Sequence, residues 1–241
     1  MKRPLVIAHR GASGDAPENT LAAYKKALDF GADGIEIDIH LSKDGRLIVC
    51  HDEKVDRTTD GKGLINDMTL REIKRLDAGS WYGEAYRGEK ILVLEEVLDL
   101  LREKDILLNI ELKNGIIPYR QLEEKVLQRI KDYRMKEKII ISSFNHTSLM
   151  KIKQLNQSIK TGVLYVAALV EPWEYAKKIK ADALHPLFYN IRPELVRNCR
   201  QSSIDINTFV VNEAIELSLI SKLGVSGIIT NYPDRARRII G

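Results

Sequence analysis

The run Gly34-Ile35-Glu36-Ile37-Asp38-Ile39-His40 alternates isoleucine with polar residues, which is the two-residue period of a β-strand. Alternate residues of a strand share a face, so Glu36 and Asp38 point one way and the isoleucines point the other. Two like charges side by side are costly to bury unless a cation lies between them. The run therefore predicts a strand that carries a site for a hard metal ion.

Outward from this run, short β-branched segments alternate with helical patterns along the chain. The predicted strands are Leu5–Ala8, Gly34–His40, Leu47–Cys50, Ile106–Glu111, Ile139–Ser142, Lys160–Tyr165, Ala183–Leu184, Ile204–Phe209 and Gly227–Thr230. The predicted helices lie near Thr20–Phe30, Leu94–Glu103, Tyr119–Arg134, Thr147–Leu155, Pro172–Ile179, Pro193–Arg200, Glu213–Leu219 and Asp234–Ile240. Repeated β-then-α units indicate parallel strands that are covered by helices.

The number of these units indicates a closed barrel. Lys43-Asp44-Gly45 has the composition of a hairpin turn, so Leu47–Cys50 is interpreted as a hairpin partner of the second strand. Eight βα units remain, and we predict an α/β fold, a TIM (β/α)8 barrel, as a single domain over residues 1–241. An open doubly wound sheet is the alternative, but the sequence has no glycine-rich dinucleotide fingerprint. Residues 52–90 interrupt the alternation of strand and helix patterns after the second βα region, and we expect them to form a small inserted cap.

Composition and charge argue against a nucleic-acid partner. The 241 residues are 44% hydrophobic, enough for a full core, and the formal net charge is only +4. Basic residues are scattered among acidic ones, and the densest group, Arg235–Arg238, is interpreted as a solvated helix face. A modest positive field still favours anionic substrates.

The cysteines and the hydropathy pattern indicate a cytoplasmic protein. Cys50 and Cys199 lie far apart without metal-binding spacing, and neither indicates an oxidising compartment. The first predicted strand begins almost at the N-terminus, and no apolar run approaches the length of a membrane span. We therefore expect no signal peptide and no stable membrane insertion, whereas the oligomeric state is not predicted.

Polar residues collect where predicted strands end. They are His9-Arg10-Gly11, Glu36 with Asp38, His51-Asp52, and Glu111-Leu112-Lys113. Each alone has an ordinary structural explanation, such as packing, capping or an ion pair. The carboxyl ends of the strands of a parallel barrel converge on the face where barrel active sites lie, so their joint placement indicates one site.

These residues belong to an ordered motif series that resembles the glycerophosphodiester phosphodiesterase family, of the bacterial cytoplasmic type. The series is His9-Arg10-Gly11, Pro17-Glu18-Asn19-Thr20, Glu36-x-Asp38, His51-Asp52, Glu111-x-Lys113, Ser142-Ser143-Phe144 and Gly227-Ile228-Ile229-Thr230. The resemblance covers essentially the whole chain. It implies a TIM barrel with a small insertion and the metal-dependent hydrolysis of small glycerophosphodiesters to sn-glycerol 3-phosphate and an alcohol.

The resemblance also implies a metal site. Its ligands would be Glu36, Asp38 and Glu111. Ligation by oxygen alone suits one divalent cation, Mg²⁺ or Ca²⁺, and the sequence does not distinguish the two ions.

The same resemblance assigns the acid–base pair to His9 and His51 and phosphate binding to Arg10 and Lys113. The reaction requires these roles, because attack on a phosphodiester anion needs charge stabilisation at the nonbridging oxygens. It also needs a base and an acid on opposite sides of phosphorus, and histidine titrates near neutral pH. Which histidine is the acid stays open, as does direct attack by water against a cyclic phosphate intermediate.

Two other functions remain as alternatives. One is a phospholipase-like phosphodiesterase that acts on lysolipids or lipids and releases a cyclic phosphate, for which an apolar rim would be typical. The other is a noncatalytic barrel that binds phosphate compounds. The sequence does not predict the preferred alcohol group.

The chain departs from the family pattern at two positions. Phe209 stands where tryptophan is common, and Asn231 stands where aspartate is usual. An asparagine at position 231 can replace a hydrogen-bonding aspartate but cannot supply its charge.

Overall fold

Eight parallel strands close into a ring in the computed structural model, which describes residues 3–241. The strands are β1 (Leu5–His9), β2 (Gly34–Leu41), β3 (Leu47–Val49), β4 (Leu107–Leu112), β5 (Ile139–Ser143), β6 (Lys160–Tyr165), β7 (Ala183–Pro186), β8 (Asp205–Thr208) and β9 (Gly227–Thr230). All except β3 belong to the ring, in sequence order. The ring closes because β1 pairs with both β2 and β9. The predicted TIM barrel is confirmed.

Helices alternate with the strands and cover the barrel. They are α1 (Leu21–Asp29), α2 (Leu70–Ile73), α3 (Leu94–Leu101), α4 (Leu122–Asp132), α5 (His146–Leu155), α6 (Pro172–Lys178), α7 (Pro193–Gln201), α8 (Ala214–Leu223) and α9 (Pro233–Ile240). Proline occupies the first turn of α6, α7 and α9, where its missing N–H costs nothing. Among residues 3–241, no helix combines the length and the hydropathy needed to cross a bilayer.

The isoleucines of β2 anchor the barrel to its helical layer. Ile35, Ile37 and Ile39 are fully buried in the main hydrophobic core. Burial of such a side chain contributes about 1.5–3 kcal/mol each. The strict alternation of β2 therefore holds its other face, which carries the two carboxylates, towards the barrel interior.

The β2–β3 hairpin has the predicted antiparallel pairing, with Ile39 opposite Val49. The strand ends at Leu41, one residue beyond the predicted His40, and Glu36 and Asp38, which the sequence analysis placed at its carboxyl end, lie within it. The added ladder partner lengthens the strand beyond the barrel ring without moving the carboxylate face.

The segment between β3 and α3 packs on the barrel through a second, smaller core. This cluster joins Ile48 and Cys50 to Val55, Ile65 and Ile73, all of them buried. The turn of α2 is closed by a capping box. The segment is thus tied to the end of β3 by apolar contacts.

Candidate active site

Strand register brings the three predicted metal ligands together. Asp38 of β2 lies opposite Glu111 of β4 in the parallel ladder, and Glu36 is two residues back on the same face. Each of the three side chains offers a carboxylate oxygen, and these oxygens lie within 4.8 Å of one another. Residues far apart in sequence therefore form one acidic cluster at the barrel mouth.

The cluster fits a divalent cation. Glu36 and Asp38 are almost completely buried, and the Oε1 atom of Glu36 and the Oδ1 atom of Asp38 have no hydrogen-bond partner among the described residues. Buried carboxylate oxygens without donors are costly unless a cation compensates them. Oxygen donors of this kind are the ligands that Mg²⁺ and Ca²⁺ prefer, so Glu36, Asp38 and Glu111 could hold such an ion.

The pKa values reflect crowding of negative charge. Burial, followed by the charges of Asp38 and Glu111, raises the pKa of Glu36 well above its usual value. Burial and Asp38 likewise raise the pKa of Glu111. For Asp38 the burial effect is outweighed by Arg10 and Lys113, which hold its pKa at about 2. Asp38 is thus firmly ionised, whereas ionisation of Glu36 and Glu111 is disfavoured by burial and by neighbouring charge, an effect that a further positive charge would offset.

Arg10 lies directly against this cluster. Its backbone adopts a left-handed conformation, with φ of 56°, and its N–H donates to Oε2 of Glu36 at 3.0 Å. The guanidinium Nε is 3.3 Å from Oδ2 of Asp38, and Nη1 donates to Oε1 of Glu18 at 2.9 Å. A strained backbone held by such contacts is typical of a functional site.

Lys113 reaches the same cluster from the end of β4. Its Nζ donates to Oε1 of Glu111 at 2.8 Å and lies 3.7 Å from Oδ1 of Asp38. The structure therefore brings both predicted phosphate-binding residues to the carboxylates.

Asn19 supports Asp38 from the loop before α1. Its Nδ2 donates to Oδ2 of Asp38 at 3.0 Å, and its Oδ1 accepts from the hydroxyl of Tyr24 at 2.9 Å. The helix cap is the neighbouring Thr20, whose hydroxyl accepts from the N–H of Ala23. Asn19 thus orients a predicted ligand, and capping belongs to Thr20.

His9 ends β1 in a partly buried position beside Asn231, which follows β9. The Nδ1 atom of His9 lies 2.7 Å from Oδ1 of Asn231. Burial, with a smaller effect of the Arg10 charge, lowers the pKa of His9 to about 4. The amide oxygen accepts a hydrogen bond from Nδ1–H, so the Nε2 atom of the neutral ring is left free to accept a proton.

His51 follows β3 and has a different partner. Its Nδ1 lies 2.6 Å from Oδ1 of Asp52. Burial would raise the pKa of Asp52, but hydrogen bonds from Arg57 and His51 hold it far below its usual value. The carboxylate accepts from Nδ1–H and so fixes the orientation of the His51 ring.

Arg57 is a part of the site that the sequence interpretation missed. It lies five residues beyond Asp52 in the segment 52–90, and its guanidinium contacts both Asp52 and Glu18. The sequence carries no periodic signal for it, because its contacts depend on how an irregular loop folds back. The presence of an arginine shortly after His51-Asp52 was the one available indication.

Comparisons with known proteins identify the family of the chain. The sequence profile of the Glycerophosphoryl diester phosphodiesterase family matches residues 9–235. A relative from Caldanaerobacter subterraneus subsp. tengcongensis, named glycerophosphodiester phosphodiesterase, is 50% identical over 232 residues, with 96% of each chain covered. A second with that name, from Bacillus altitudinis, is 41% identical, with 97% of each chain covered.

Solved structures give the same result. An Oleispira antarctica phosphodiesterase, in complex with the product sn-glycerol-3-phosphate, superposes with a TM-score of 0.88 at 32% identity, covering 99% of this chain and 97% of its own. A glycerophosphodiester phosphodiesterase from Agrobacterium tumefaciens has a TM-score of 0.87 at 28% identity, covering 98% of this chain and 100% of its own. The chain therefore belongs to the glycerophosphoryl diester phosphodiesterase family and is a phosphodiester hydrolase.

Proposed function

We propose that this enzyme hydrolyses small glycerophosphodiesters to sn-glycerol 3-phosphate and an alcohol. The observation that carries the proposal is the approach of three carboxylates to within 4.8 Å of one another beside Arg10 and Lys113. The product bound to the Oleispira antarctica relative supports the same substrate class.

Glu36, Asp38 and Glu111 are the proposed ligands of one Mg²⁺ or Ca²⁺ ion. When bound, a divalent cation neutralises charge on phosphoryl oxygens. Arg10 and Lys113 add the remaining positive charge. Arg10 offers a planar fork of donors, and Lys113 offers a point charge, so together they bind and orient the nonbridging oxygens.

The two histidines are the proposed acid–base pair, and their hydrogen-bond partners indicate which one is the base and which one is the acid. His9, whose Nδ1 faces an amide oxygen and whose pKa is about 4, is neutral and accepts the proton of the attacking hydroxyl at Nε2. His51, whose Nδ1–H donates to the carboxylate of Asp52, is oriented by that contact and donates a proton from Nε2 to the departing alcohol oxygen. The same assignment serves attack by water or by the glycerol 2-hydroxyl.

The location of the enzyme is part of this proposal. Cys50 and Cys199 are buried free thiols, which supports a reducing, cytoplasmic compartment.

Hydrolysis of glycerophosphocholine by the purified protein tests the proposal. The metal should be removed by chelation and then restored as Mg²⁺ or Ca²⁺, with products followed by phosphorus NMR. We expect sn-glycerol 3-phosphate only after metal is restored. Turnover in excess chelator, or no turnover with either ion, would contradict the proposal.

A second candidate is the cleavage of lysolipids, and one observation favours it. A groove of about 590 Å³ beside Asp52 and Arg57 is lined by Leu64, Ile116 and Ile117. Ile116 is 77% exposed at this edge. The acyl chain of a lysolipid would gain from burial there. Parallel assays of glycerophosphocholine and lysophosphatidylcholine distinguish the candidates. A phosphodiesterase that acts on lysolipids should prefer lysophosphatidylcholine and yield a cyclic phosphate or lysophosphatidate.

A further inference from the structure

The guanidinium of Arg57 bridges two carboxylates. Its Nε donates to Oδ2 of Asp52 at 2.7 Å, and its Nη2 lies 3.1 Å from Oδ1 of the same residue. Its Nη1 and Nη2 donate to the two carboxylate oxygens of Glu18 at 2.7 and 2.8 Å. Paired contacts of this kind set the orientation as well as the separation of the charges, because both planar groups must align.

Each of these carboxylates continues to a residue of the active site. Asp52 contacts Nδ1 of His51 at 2.6 Å, and Glu18 accepts from Nη1 of Arg10 at 2.9 Å. Arg57 is therefore the link between a proposed proton donor on one side and a proposed phosphate-binding group on the other. Without its positive charge, Glu18 and Asp52 would each lose a partner and repel one another.

The loop that carries Arg57 is anchored to the barrel. Val55 is completely buried in the smaller hydrophobic cluster with Ile48 and Cys50. The hydroxyl of Thr59 donates to the carbonyl of Val55 at 2.7 Å, which closes the turn around Arg57. Packing at the end of β3 therefore fixes the position of the loop that carries the guanidinium.

Exposure alone would predict a weak interaction, since the Arg57 side chain is 44% exposed. Its partner Glu18 is only 13% exposed, however, and lies between two guanidinium groups. Burial would raise the pKa of Glu18, but Arg57 and Arg10 hold it below its usual value. Glu18 is therefore an ionised, enclosed acceptor that needs both arginines.

We propose that Arg57 is a positioning residue, which aligns His51 through Asp52 and Arg10 through Glu18 at the same time. This inference rests on the proposed function and adds a role for the inserted segment in the reaction. Arg57 itself touches neither the proposed metal ligands nor the two histidines in the described contacts; it acts through its two carboxylate partners.

Steady-state kinetics on glycerophosphocholine with saturating Mg²⁺ test this role. We expect Arg57→Gln to lower kcat/KM by about 100-fold, since small misplacements of catalytic groups cost that much. Arg57→Lys should recover only part of the loss, because an ammonium cannot pair with both carboxylates as a fork does. Arg87→Gln is the matched control: Arg87 lies in the same segment and, among the described residues, forms an ion pair only with the exposed Glu84, so its removal should leave kcat/KM within twofold of wild type.

Double-mutant cycles separate positioning from a general structural role. If Arg57 acts through Asp52, adding Arg57→Gln to the Asp52→Asn variant should lower kcat/KM far less than adding it to the wild type. Likewise, if it acts through Glu18, adding Arg57→Gln to the Glu18→Gln variant should lower kcat/KM far less than adding it to the wild type. Multiplicative losses in both cycles would contradict the proposal. Thermal unfolding verifies that each variant is folded, and if Arg57→Gln does not fold, wild-type kcat/KM in Arg57→Lys would overturn the proposal.

Different results would contradict the proposed function and the role of Arg57. An inactive wild-type protein would contradict the proposed function. An active wild-type protein with unchanged kcat/KM in Arg57→Gln would contradict only the role of Arg57.

Discussion

The Nδ1 atom of His9 lies 2.7 Å from an amide oxygen of Asn231, whereas the corresponding atom of His51 faces a carboxylate oxygen of Asp52. The two histidines of one site therefore have partners of different charge. A carboxylate stabilises an imidazolium, and a neutral amide does so much less. This asymmetry is the basis for the proposed base, His9, and the proposed acid, His51, and each assignment can be tested separately.

Replacing Asn231 by aspartate should raise the pKa of His9. In the wild type, burial holds this pKa at about 4, so His9 stays neutral and able to accept a proton down to mildly acidic pH. A carboxylate at position 231 favours the charged ring, which cannot act as a base. The acidic limb of the kcat/KM–pH profile should therefore move to higher pH in Asn231→Asp, and an unmoved limb would remove His9 from the role of base.

Removing His51 should matter less when the departing alcohol needs no proton. His51→Ala should lower turnover of glycerophosphocholine by roughly 10²–10⁴-fold, the usual contribution of acid–base catalysis. The loss should be much smaller with a p-nitrophenyl phosphodiester of glycerol, whose leaving group departs as a stable anion. His9→Ala should instead be impaired on both substrates. Equal losses of His51→Ala on both substrates would contradict its assignment as the acid.

Replacing a proposed metal ligand should raise the Tm of the metal-free protein and reduce the further rise in Tm that metal gives. Glu36→Gln relieves the crowding with Asp38 and Glu111 that raises the pKa of Glu36, so we expect a higher Tm in chelator. Its Tm should rise little when Mg²⁺ is added, and activity should fall by at least about 100-fold. Glu123→Gln is a control at a buried carboxylate outside the cluster, which should keep the metal-induced shift. A full metal-induced shift in Glu36→Gln would exclude Glu36 as a ligand.

Lys113→Ala should impair the reaction while leaving the fold intact. Its ammonium is the positive charge beside Glu111 that the proposal aims at the phosphate, and loss of such a group lowers kcat/KM by about 100-fold. Lys151→Ala serves as control, because Lys151 also bridges two carboxylates, those of Glu123 and Glu124, but on the helical layer. Equal kcat/KM for the two variants would argue against contact of Lys113 with phosphate.

Acid should destabilise the barrel through His185. This residue of β7 is completely buried, and desolvation lowers its pKa from an ordinary 6.5 to about 3. The unfolded chain therefore binds a proton that the folded chain excludes, and the stability present above pH 6.5 is lost as pH falls towards 3. The contribution is about 1.4 kcal/mol per pH unit within this window.

Urea unfolding at several pH values measures this effect. His185→Gln should show a shallower loss of stability between pH 6 and 4 than the wild type. Identical slopes for the two proteins would contradict the role of His185.

Periodicity was sufficient to predict the barrel. The strict alternation in Gly34–His40 and the repeated βα units specify which faces are apolar, and burial of those faces leaves few other arrangements. The predicted end of β2, His40, is one residue short of the observed end, because the ladder with β3 also pairs Leu41 with Leu47.

The site was predicted to the extent that its residues follow strands in a regular order. Glu36, Asp38 and Glu111 were predicted to gather, because parallel strand ends share one face of a barrel, and the structure brings their oxygens together. Their role as ligands stays a prediction until metal binding is measured. Arg57 could not be found in this way, because no periodic pattern relates an irregular loop to the helix entrance at Glu18.

The order of strands and helices, the apolar faces and the set of charged residues follow from the chain itself, since local periodicity and chemistry need no partner. Tertiary structure alone decided the partners of those charges. It set His9 against an amide and His51 against a carboxylate, and it joined Glu18 to Asp52 through Arg57. The physical reason is that electrostatic effects depend on distances of a few ångströms and on burial, which only the folded chain specifies.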